Sequence, residues 1–148
     1  MYFDGLCEPK NPGGVATYGF VAKSDGRVIC KGKGVVGAGF LGDDVTNNVA
    51  EYTALIRGLE CLKEKGIKKV KIRGDSQLVI RQLKGEYRVR SERMKPLYRK
   101  AMELLKDFEY QLEWVPRELN KEADQLSREA FKEFIKKYEK EYREFYGA

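Results

Sequence analysis

The stretch MYFDGLCEPKNPGGVATYGFVAKSDGRVICKGKGVVGA, residues 1–38, decides the fold. Strand-forming residues fill positions 1–6, 16–23 and 27–37, and turn-forming residues separate them. The first connection, EPKNPGG, is rich in proline and glycine, and the second contains Asp25-Gly26, a strong hairpin signal. The stretch therefore predicts three consecutive antiparallel strands.

After residue 44 the pattern changes from hairpins to alternating helices and strands. Residues 47–66 carry apolar side chains at helical spacing, and Gly66 is expected to end that helix. Residues 69–74 (KVKIRG) predict a fourth strand, and Asp75 is expected to open a second helix that reaches about residue 84.

The last third predicts two more helices around a fifth strand. Ser91 is expected to cap a helix that ends near residue 108, and residues 110–114 predict the strand. Asn120 is expected to cap the final helix. From about residue 132 the chain becomes a highly charged helical tail, expected either to project from the body or to fray.

This order predicts an α/β fold: a five-stranded mixed sheet, antiparallel in its first three strands, with helices packed against it. The 148 residues fit one domain, and a hydrophobic fraction of 42% argues against disorder. No apolar run approaches the roughly 20 residues of a membrane helix, and the N-terminus does not resemble a signal peptide. We therefore expect no membrane partner, and nothing requires more than a monomer.

The net charge of +6 is concentrated in the middle of the chain. Residues 51–100 carry 15 basic and 6 acidic side chains, which indicates either a face for a polyanion or a plain solvated surface. Within this region the segment GEYRVRSERMK, residues 85–95, contains Arg88 and Arg90. We interpret it as an edge that contacts phosphates, in preference to a solvated loop.

The cysteines are an odd, scattered set: Cys7, Cys30 and Cys61. None is part of a CxxC pair, so we expect neither a disulfide framework nor a zinc site. The same usage favours a reducing, cytoplasmic setting.

Four carboxylates stand at the ends of predicted elements: Asp4, Glu51, Asp75 and Asp124. Singly, each has a plain structural explanation as a turn, cap or surface residue. Together they could be gathered by one sheet, and clustered anions repel one another unless a hard cation such as Mg²⁺ or Mn²⁺ is present. The chain contains no histidine, which excludes Ser-His-Asp, Cys-His and histidine-zinc chemistry. For a site built from carboxylates alone, metal-assisted phosphodiester chemistry is the natural reaction class.

Four segments, in order, resemble motifs of the type 1 ribonuclease H family, and the likeness runs from Tyr2 to about Ala130. YFDGLCEPKNPGG resembles its first strand and Asn-Pro-Gly turn, and TNNVAEYTAL its first helix start. RGDSQLVIRQL resembles its Asp-Ser-Gln corner, and WVPRELNKEADQLSREA its last catalytic segment. Because a long basic protrusion is missing, the chain is similar to the compact archaeal or retroviral version.

The resemblance implies a two-metal-ion endonuclease that cuts the RNA strand of RNA–DNA hybrids and leaves 5′-phosphate and 3′-hydroxyl ends. By matching positions, Asp4 would be shared by both ions, and Glu51 and Asp75 would complete the ion at the leaving oxygen. Asp124 would help to hold the ion that activates water.

The resemblance also implies contacts with the hybrid through short side chains that suit a wide, shallow minor groove. The implied positions are Gly5, Asn11, Thr46, Asn47, Asn48 and Gln77. Cleavage of duplex RNA is left open. Many family members carry a histidine before the last helix, where this chain reads VPRELN; Arg117 is the nearest substitute there, with Glu118 as the alternative.

Two other functions stay open: a hybrid- or duplex-binding module without activity, and a transposase- or integrase-like nuclease for DNA. The four acids disfavour the first, and the Thr-Asn-Asn and Asp-Ser-Gln contexts disfavour the second. Residues 32–37 match the dinucleotide pattern GxGxxG, but they lie in a strand that no helix follows. Their glycines are expected to permit a bulge and close packing instead.

Overall fold

The computed structural model describes residues 1–147 and contains one five-stranded mixed sheet. Its strands, in the spatial order β3-β2-β1-β4-β5, are β1 Tyr2–Glu8, β2 Val15–Ser24, β3 Arg27–Ala38, β4 Lys69–Gly74 and β5 Glu109–Trp114. The first three strands pair antiparallel, whereas β4 runs parallel to both β1 and β5. The predicted fold class is confirmed.

Helices cover both faces of the sheet. They are α1 Asn47–Glu64, α2 Gln77–Leu83, α3 Lys95–Leu105, α4 Lys121–Lys137 and α5 Glu139–Tyr146. Because side chains alternate along a strand, β1 presents Phe3 to the core beneath α1 and Asp4 to the opposite face, where α4 packs. None of the helices within residues 1–147 has the length and apolar character needed to cross a membrane.

The hairpin between β2 and β3 forms as predicted. Asp25 and Gly26 both have positive φ, at 51° and 78°, as a tight hairpin turn requires. The glycines of the GxGxxG pattern pack closely: Gly32 lies opposite the Phe20 ring and Gly34 opposite the Tyr18 ring, where a Cβ atom would overlap. The β2–β3 pairing also shifts register beside Gly37, so the predicted bulge and close packing are confirmed.

Two helix starts differ from the prediction. The second helix begins at Gln77, because the Ser76 side chain accepts the Val79 amide hydrogen bond and so supplies the cap assigned to Asp75. This leaves the Asp75 carboxylate free for another role. The third helix begins at Lys95, four residues after Ser91, which instead accepts backbone hydrogen bonds within a preceding turn.

The expectation that the chain has no disulfide is wrong. Cys30 in β3 and Cys61 in α1 are bonded, with their Cα atoms 6.2 Å apart. They lie 31 residues apart in sequence, and only the packing of α1 across the sheet brings them together. Cys7 is free and buried beside Ala16, Val45 and Ala50, which fits a packing role.

The charged tail does not project or fray within the described residues. The chain turns at Tyr138, and α5 folds back towards the short 3-10 turn Gly39–Leu41. Its aromatic side chains pack there around Phe40.

Reducing the Cys30–Cys61 bond should lower the free energy of unfolding by about 2–4 kcal/mol, because the bond restricts the unfolded chain. Thermal and denaturant unfolding with and without a reductant measure this effect. The Cys61→Ser variant should be less stable than the wild type and insensitive to reductant. Titration of three free thiols in the unreduced, denatured wild-type protein would contradict the assignment.

Candidate active site

Three carboxylates meet where β4 ends beside β1. Asp4 comes from β1, Glu51 from the early part of α1, and Asp75 directly follows β4. One oxygen atom from each lies within 4.8 Å of those of the other two, so the group could hold a metal ion. The sequence prediction that one sheet gathers these acids therefore holds for these three.

Two glycines allow the helices to approach closely enough to build the site. A Cβ atom at Gly5 would overlap the backbone of Ala50 and Glu51, so glycine there lets α1 bring Glu51 against β1. Asp4 pairs across the sheet with Gly19, where a Cβ atom would overlap the backbone of Ala123 in α4. The first turn of α4 is thereby brought beside Asp4.

The two deepest carboxyl groups lie in surroundings that oppose their charge. Asp4 is 5% exposed and Glu51 is 6% exposed. Burial, followed by the charge of Asp75, raises the pKa of Asp4 to about 8. Burial and the charges of Asp4 and Asp75 likewise raise the pKa of Glu51, although the Gly5 backbone amide opposes this.

Contacts with other groups offset the burial of Asp4 and Glu51 only in part. Their carboxyl groups lie close together, with one oxygen of each within 4.8 Å of the other, and Glu51 Oε2 is buried without any hydrogen-bond partner among the described residues. Neither acid forms an ion pair with another of residues 1–147. Buried, unpaired oxygen ligands fit a hard divalent cation, which would supply the missing charge.

Asp75 is half-buried and has a cation nearby. Burial raises its pKa, and the charge of Arg117 opposes this most strongly. Arg117 lies in the 3-10 turn Arg117–Leu119, directly before α4. The Trp114 indole donates a hydrogen bond of 3.0 Å to the Asp75 backbone oxygen, which fixes the corner between β4 and α2.

Asp124 lies in the first turn of α4, outside the group of three. After burial and the charge of Asp75, the nearby Asp124 carboxylate also raises the pKa of Asp4, and Asp124 accepts a hydrogen bond of 3.1 Å from Arg128 Nε. Arg128 also contacts Glu8 at 3.3 Å. The structure thus brings Asp124 near Asp4 but gives it an ion-pair partner, which Asp4, Glu51 and Asp75 lack among residues 1–147.

Comparison with known proteins agrees with this geometry. A family model described as "Reverse transcriptase-like" matches residues 16–130. The chain is 37% identical over 130 residues to ribonuclease HI of Halobacterium salinarum, and the match covers 87% of this chain and 62% of the relative. The crystal structure of RNase H1 from that archaeon superposes with a TM-score of 0.79, covering 89% of this chain and 96% of the other. The chain belongs to the ribonuclease H family.

Two further ribonuclease H structures are similar over most of their length. The N-terminal RNase H domain of a bifunctional Mycobacterium tuberculosis protein is 31% identical, with a TM-score of 0.81 and coverage of 93% of this chain and 96% of that domain. LC11-RNase H1, solved in complex with an RNA/DNA hybrid, is 33% identical, with a TM-score of 0.79 and coverage of 90% and 96%. The chain spans about a third of the full mycobacterial protein, 32% of its length.

Asn120 is a site residue, although its position before α4 predicts a helix cap. It precedes α4, but its side chain makes no cap hydrogen bond. The amide, 1% exposed, lies beside the ribonuclease H site: Nδ2 donates to the Phe3 carbonyl at 2.9 Å, and the side chain, like Arg117, opposes the burial that raises the pKa of Asp75. Its Oδ1 has no hydrogen-bond partner in residues 1–147. The signal for this role was the spacing in the family motif, with Asn four residues before Asp124.

The residues expected to contact a hybrid lie in two places. The first place is the start of α1, the helix that carries Glu51. Thr46, Asn47 and Asn48 lie there in sequence, and Asn11 is joined to them by hydrogen bonds to Asn47. Thr46 caps α1 through its side chain. Gln77 is exposed at the start of α2, two residues after Asp75.

Arg88 and Arg90 are not brought to the acids. They are exposed on the segment between α2 and α3 and form no ion pair within the described part of the chain. Gly5 is accounted for by its packing against α1. Substrate contact at all of these positions stays a prediction.

Added Mg²⁺ or Mn²⁺ should raise the melting temperature of the wild-type protein, because a cation between buried carboxylates binds only the folded chain. Asp4→Asn should remove most of this increase and leave the metal-free protein at least as stable, since the amide carries no buried charge. Thermal unfolding over a series of metal concentrations measures both effects. Asp25→Asn, which changes an exposed turn residue, is the matched control, and an equal metal response in Asp4→Asn would contradict the assignment.

Proposed function

We propose that this protein is a divalent-metal-dependent endonuclease that hydrolyses the RNA strand of RNA–DNA hybrids and leaves 5′-phosphate and 3′-hydroxyl ends. The observation that carries the proposal is the meeting of Asp4, Glu51 and Asp75 at one edge of a ribonuclease H sheet. Binding a nucleic acid would not require buried carboxylates that repel its phosphates. An oxygen-only cluster does suit phosphodiester hydrolysis assisted by Mg²⁺ or Mn²⁺.

We assign the four acids to a two-ion site. Two bound ions would supply an activated water and stabilise the charge of the leaving 3′ oxygen. Asp4 is the proposed shared ligand: its carboxylate lies close to those of Glu51 and Asp75, and Asp124 on the other side also raises its pKa, which supports that role. Glu51 and Asp75 would serve the leaving-oxygen side, and Asp124 would serve the water side, where Arg128 holds its carboxylate.

The proposed substrate is the hybrid, which crosses the surface beside these acids. The similarity to LC11-RNase H1, solved with an RNA/DNA hybrid, supports this choice. The amides of Asn11, Asn47, Asn48 and Gln77, the Thr46 hydroxyl and the Gly5 backbone would meet the minor groove, where the 2′-hydroxyl distinguishes RNA. Arg88 and Arg90, exposed and without ion pairs in residues 1–147, would contact phosphates.

We further propose one ribonuclease H-like domain that acts as a monomer in the cytoplasm. The Cys30–Cys61 bond is compatible with that location, because intracellular proteins of heat-adapted organisms can keep disulfides. The abundance of charged residues, 35% of the chain, is also compatible with heat adaptation.

Incubation with end-labelled hybrid, duplex DNA and duplex RNA, with and without Mg²⁺, tests the proposed activity. Cutting of the hybrid's RNA strand, abolished by EDTA, is the expected result. Hybrid binding without cleavage would favour an inactive binding module, and cutting of DNA strands would favour a transposase-like nuclease. The duplex RNA arm decides whether that substrate is also cut.

Asp4→Asn, Glu51→Gln and Asp75→Asn should each retain less than about a tenth of the wild-type rate while still binding the hybrid, because an amide keeps the shape but loses the charge that holds the metal. Asp124→Asn should be milder, since an amide oxygen can still coordinate. Single-turnover rates and hybrid affinity measure the two effects separately. If any of the first three variants retains more than about a tenth of the wild-type rate, the residue that it changes does not have the assigned role.

Arg117→Ala should lower kcat about tenfold or more with little loss of hybrid affinity, because a cation beside Asp75 stabilises charge that develops at the scissile phosphate. Glu118→Ala, its neighbour in the same exposed turn, is the matched comparison and should change kcat less. A larger effect of Glu118→Ala would transfer the auxiliary role to that residue. Two unchanged rates would mean that the acids work without either side chain.

A further inference from the structure

The helix α5 ends in an aromatic cluster built around Phe40, in the 3-10 turn after β3. The rings of Phe134, Tyr138, Phe145 and Tyr146 lie 5.9, 6.0, 6.4 and 6.2 Å from the Phe40 ring, measured between centroids. Aromatic pairs at these separations attract one another beyond the area that they bury. The cluster therefore fixes the last turn of α5 against the end of β3.

Within this cluster, Tyr146 makes one polar contact with a distant part of the chain. Its hydroxyl donates a hydrogen bond of 2.8 Å to the Gly13 carbonyl, 133 residues away in sequence. Gly13 belongs to the connection between β1 and β2, residues 9–14, which we call the Asn11 turn. Lys10 of the same turn lies 5.9 Å from the centre of the Phe145 ring.

The 3-10 turn also supports the Asn11 turn directly. The Gly39 amide donates to the Gly14 carbonyl at 3.0 Å, and a Cβ atom at Gly39 would overlap the Gly13 carbonyl. The Tyr146 hydroxyl also lies beside the Gly39 and Phe40 backbone amides, and burial raises its pKa. One hydroxyl thus lies where the Asn11 turn, the end of β3 and the C-terminal helix meet.

The opposite side of the Asn11 turn is bonded to the start of α1. Asn11 Nδ2 donates to Asn47 Oδ1 at 2.7 Å, and the Asn47 backbone amide donates to Asn11 Oδ1 at 3.1 Å. The Gly13 amide donates to the Val45 carbonyl at 3.1 Å. The exposed side chains that we assign to substrate binding are therefore held between α1 on one side and α5 on the other.

We propose that Tyr146 is a positioning residue for the hybrid: its hydroxyl holds the Asn11 turn so that Asn11 and Asn47 are set before the substrate arrives. This inference rests on the proposed function. Ordering a loop on binding costs affinity, whereas a loop that is already ordered avoids that cost. The effect should therefore appear in hybrid binding and not in the chemical step, because none of the contacts of Tyr146 reaches Asp4, Glu51 or Asp75.

The test compares two variants that each remove a single hydroxyl. Tyr146→Phe keeps the ring in the cluster and loses the contact with Gly13. Tyr138→Phe is the matched control, because Tyr138 also packs on Phe40 but its hydroxyl forms no hydrogen bond within residues 1–147. Steady-state cleavage of the hybrid, hybrid affinity and amide hydrogen exchange of residues 9–14 are measured for both variants and the wild type.

For Tyr146→Phe, we expect KM and the dissociation constant for the hybrid to rise about fivefold, the effect of one neutral hydrogen bond, with kcat within about twofold of wild type. Amide exchange in the Asn11 turn should become faster, and Tyr138→Phe should match the wild type in every measurement.

Wild-type cleavage together with an unchanged KM in Tyr146→Phe would overturn this inference alone. A fall in kcat at constant KM would also overturn it, because Tyr146 would then act on the chemical step. Absence of hybrid cleavage by the wild-type protein would overturn the proposed function, and this inference with it.

Discussion

Asp4 and Glu51 lie side by side inside the protein, with carboxyl oxygens within 4.8 Å of one another where water has little access. Two such groups cannot both be charged there without a compensating cation, so they reduce the stability of the metal-free chain. The fold holds them together through rigid elements: β1 positions Asp4, and α1 brings Glu51 across Gly5. Much of the remaining structure serves to keep these elements close.

The same constraint explains where the other polar groups are placed. Asp75 ends β4 beside this pair, and its cap position is taken over by Ser76, so the carboxylate remains available. Asn120 donates to the Phe3 carbonyl and so fastens the start of α4 to β1. Basic side chains lie at the margin, with Arg117 near Asp75 and Arg128 on Asp124. The centre is left for a cation that the chain does not itself supply.

The sheet and the four acids could be predicted because their signals are local. Strand and helix periods, the Asp25-Gly26 turn and the motifs around Asp4, Glu51 and Asp75 each lie within a few residues of sequence. The features that the sequence does not predict depend on contacts between distant segments. The Cys30–Cys61 bond joins residues 31 apart, the Asn120–Phe3 hydrogen bond spans 117, and the return of α5 to Gly13 spans 133. No periodicity encodes these separations, so the sequence predicts a helix cap at Asn120 and a free tail after residue 132, where the structure has an inward-pointing amide and a docked helix.

The proposed function depends most on one claim: the acids bind metal, and the RNA strand lies against that metal. The direct measurement is a crystal structure of the wild-type protein with an RNA–DNA hybrid and Mn²⁺, with anomalous scattering recorded to locate manganese. We predict anomalous density in contact with Asp4 and its neighbouring acids, with a phosphate of the RNA strand beside it. Manganese bound elsewhere, or the DNA strand lying over the acids, would contradict it.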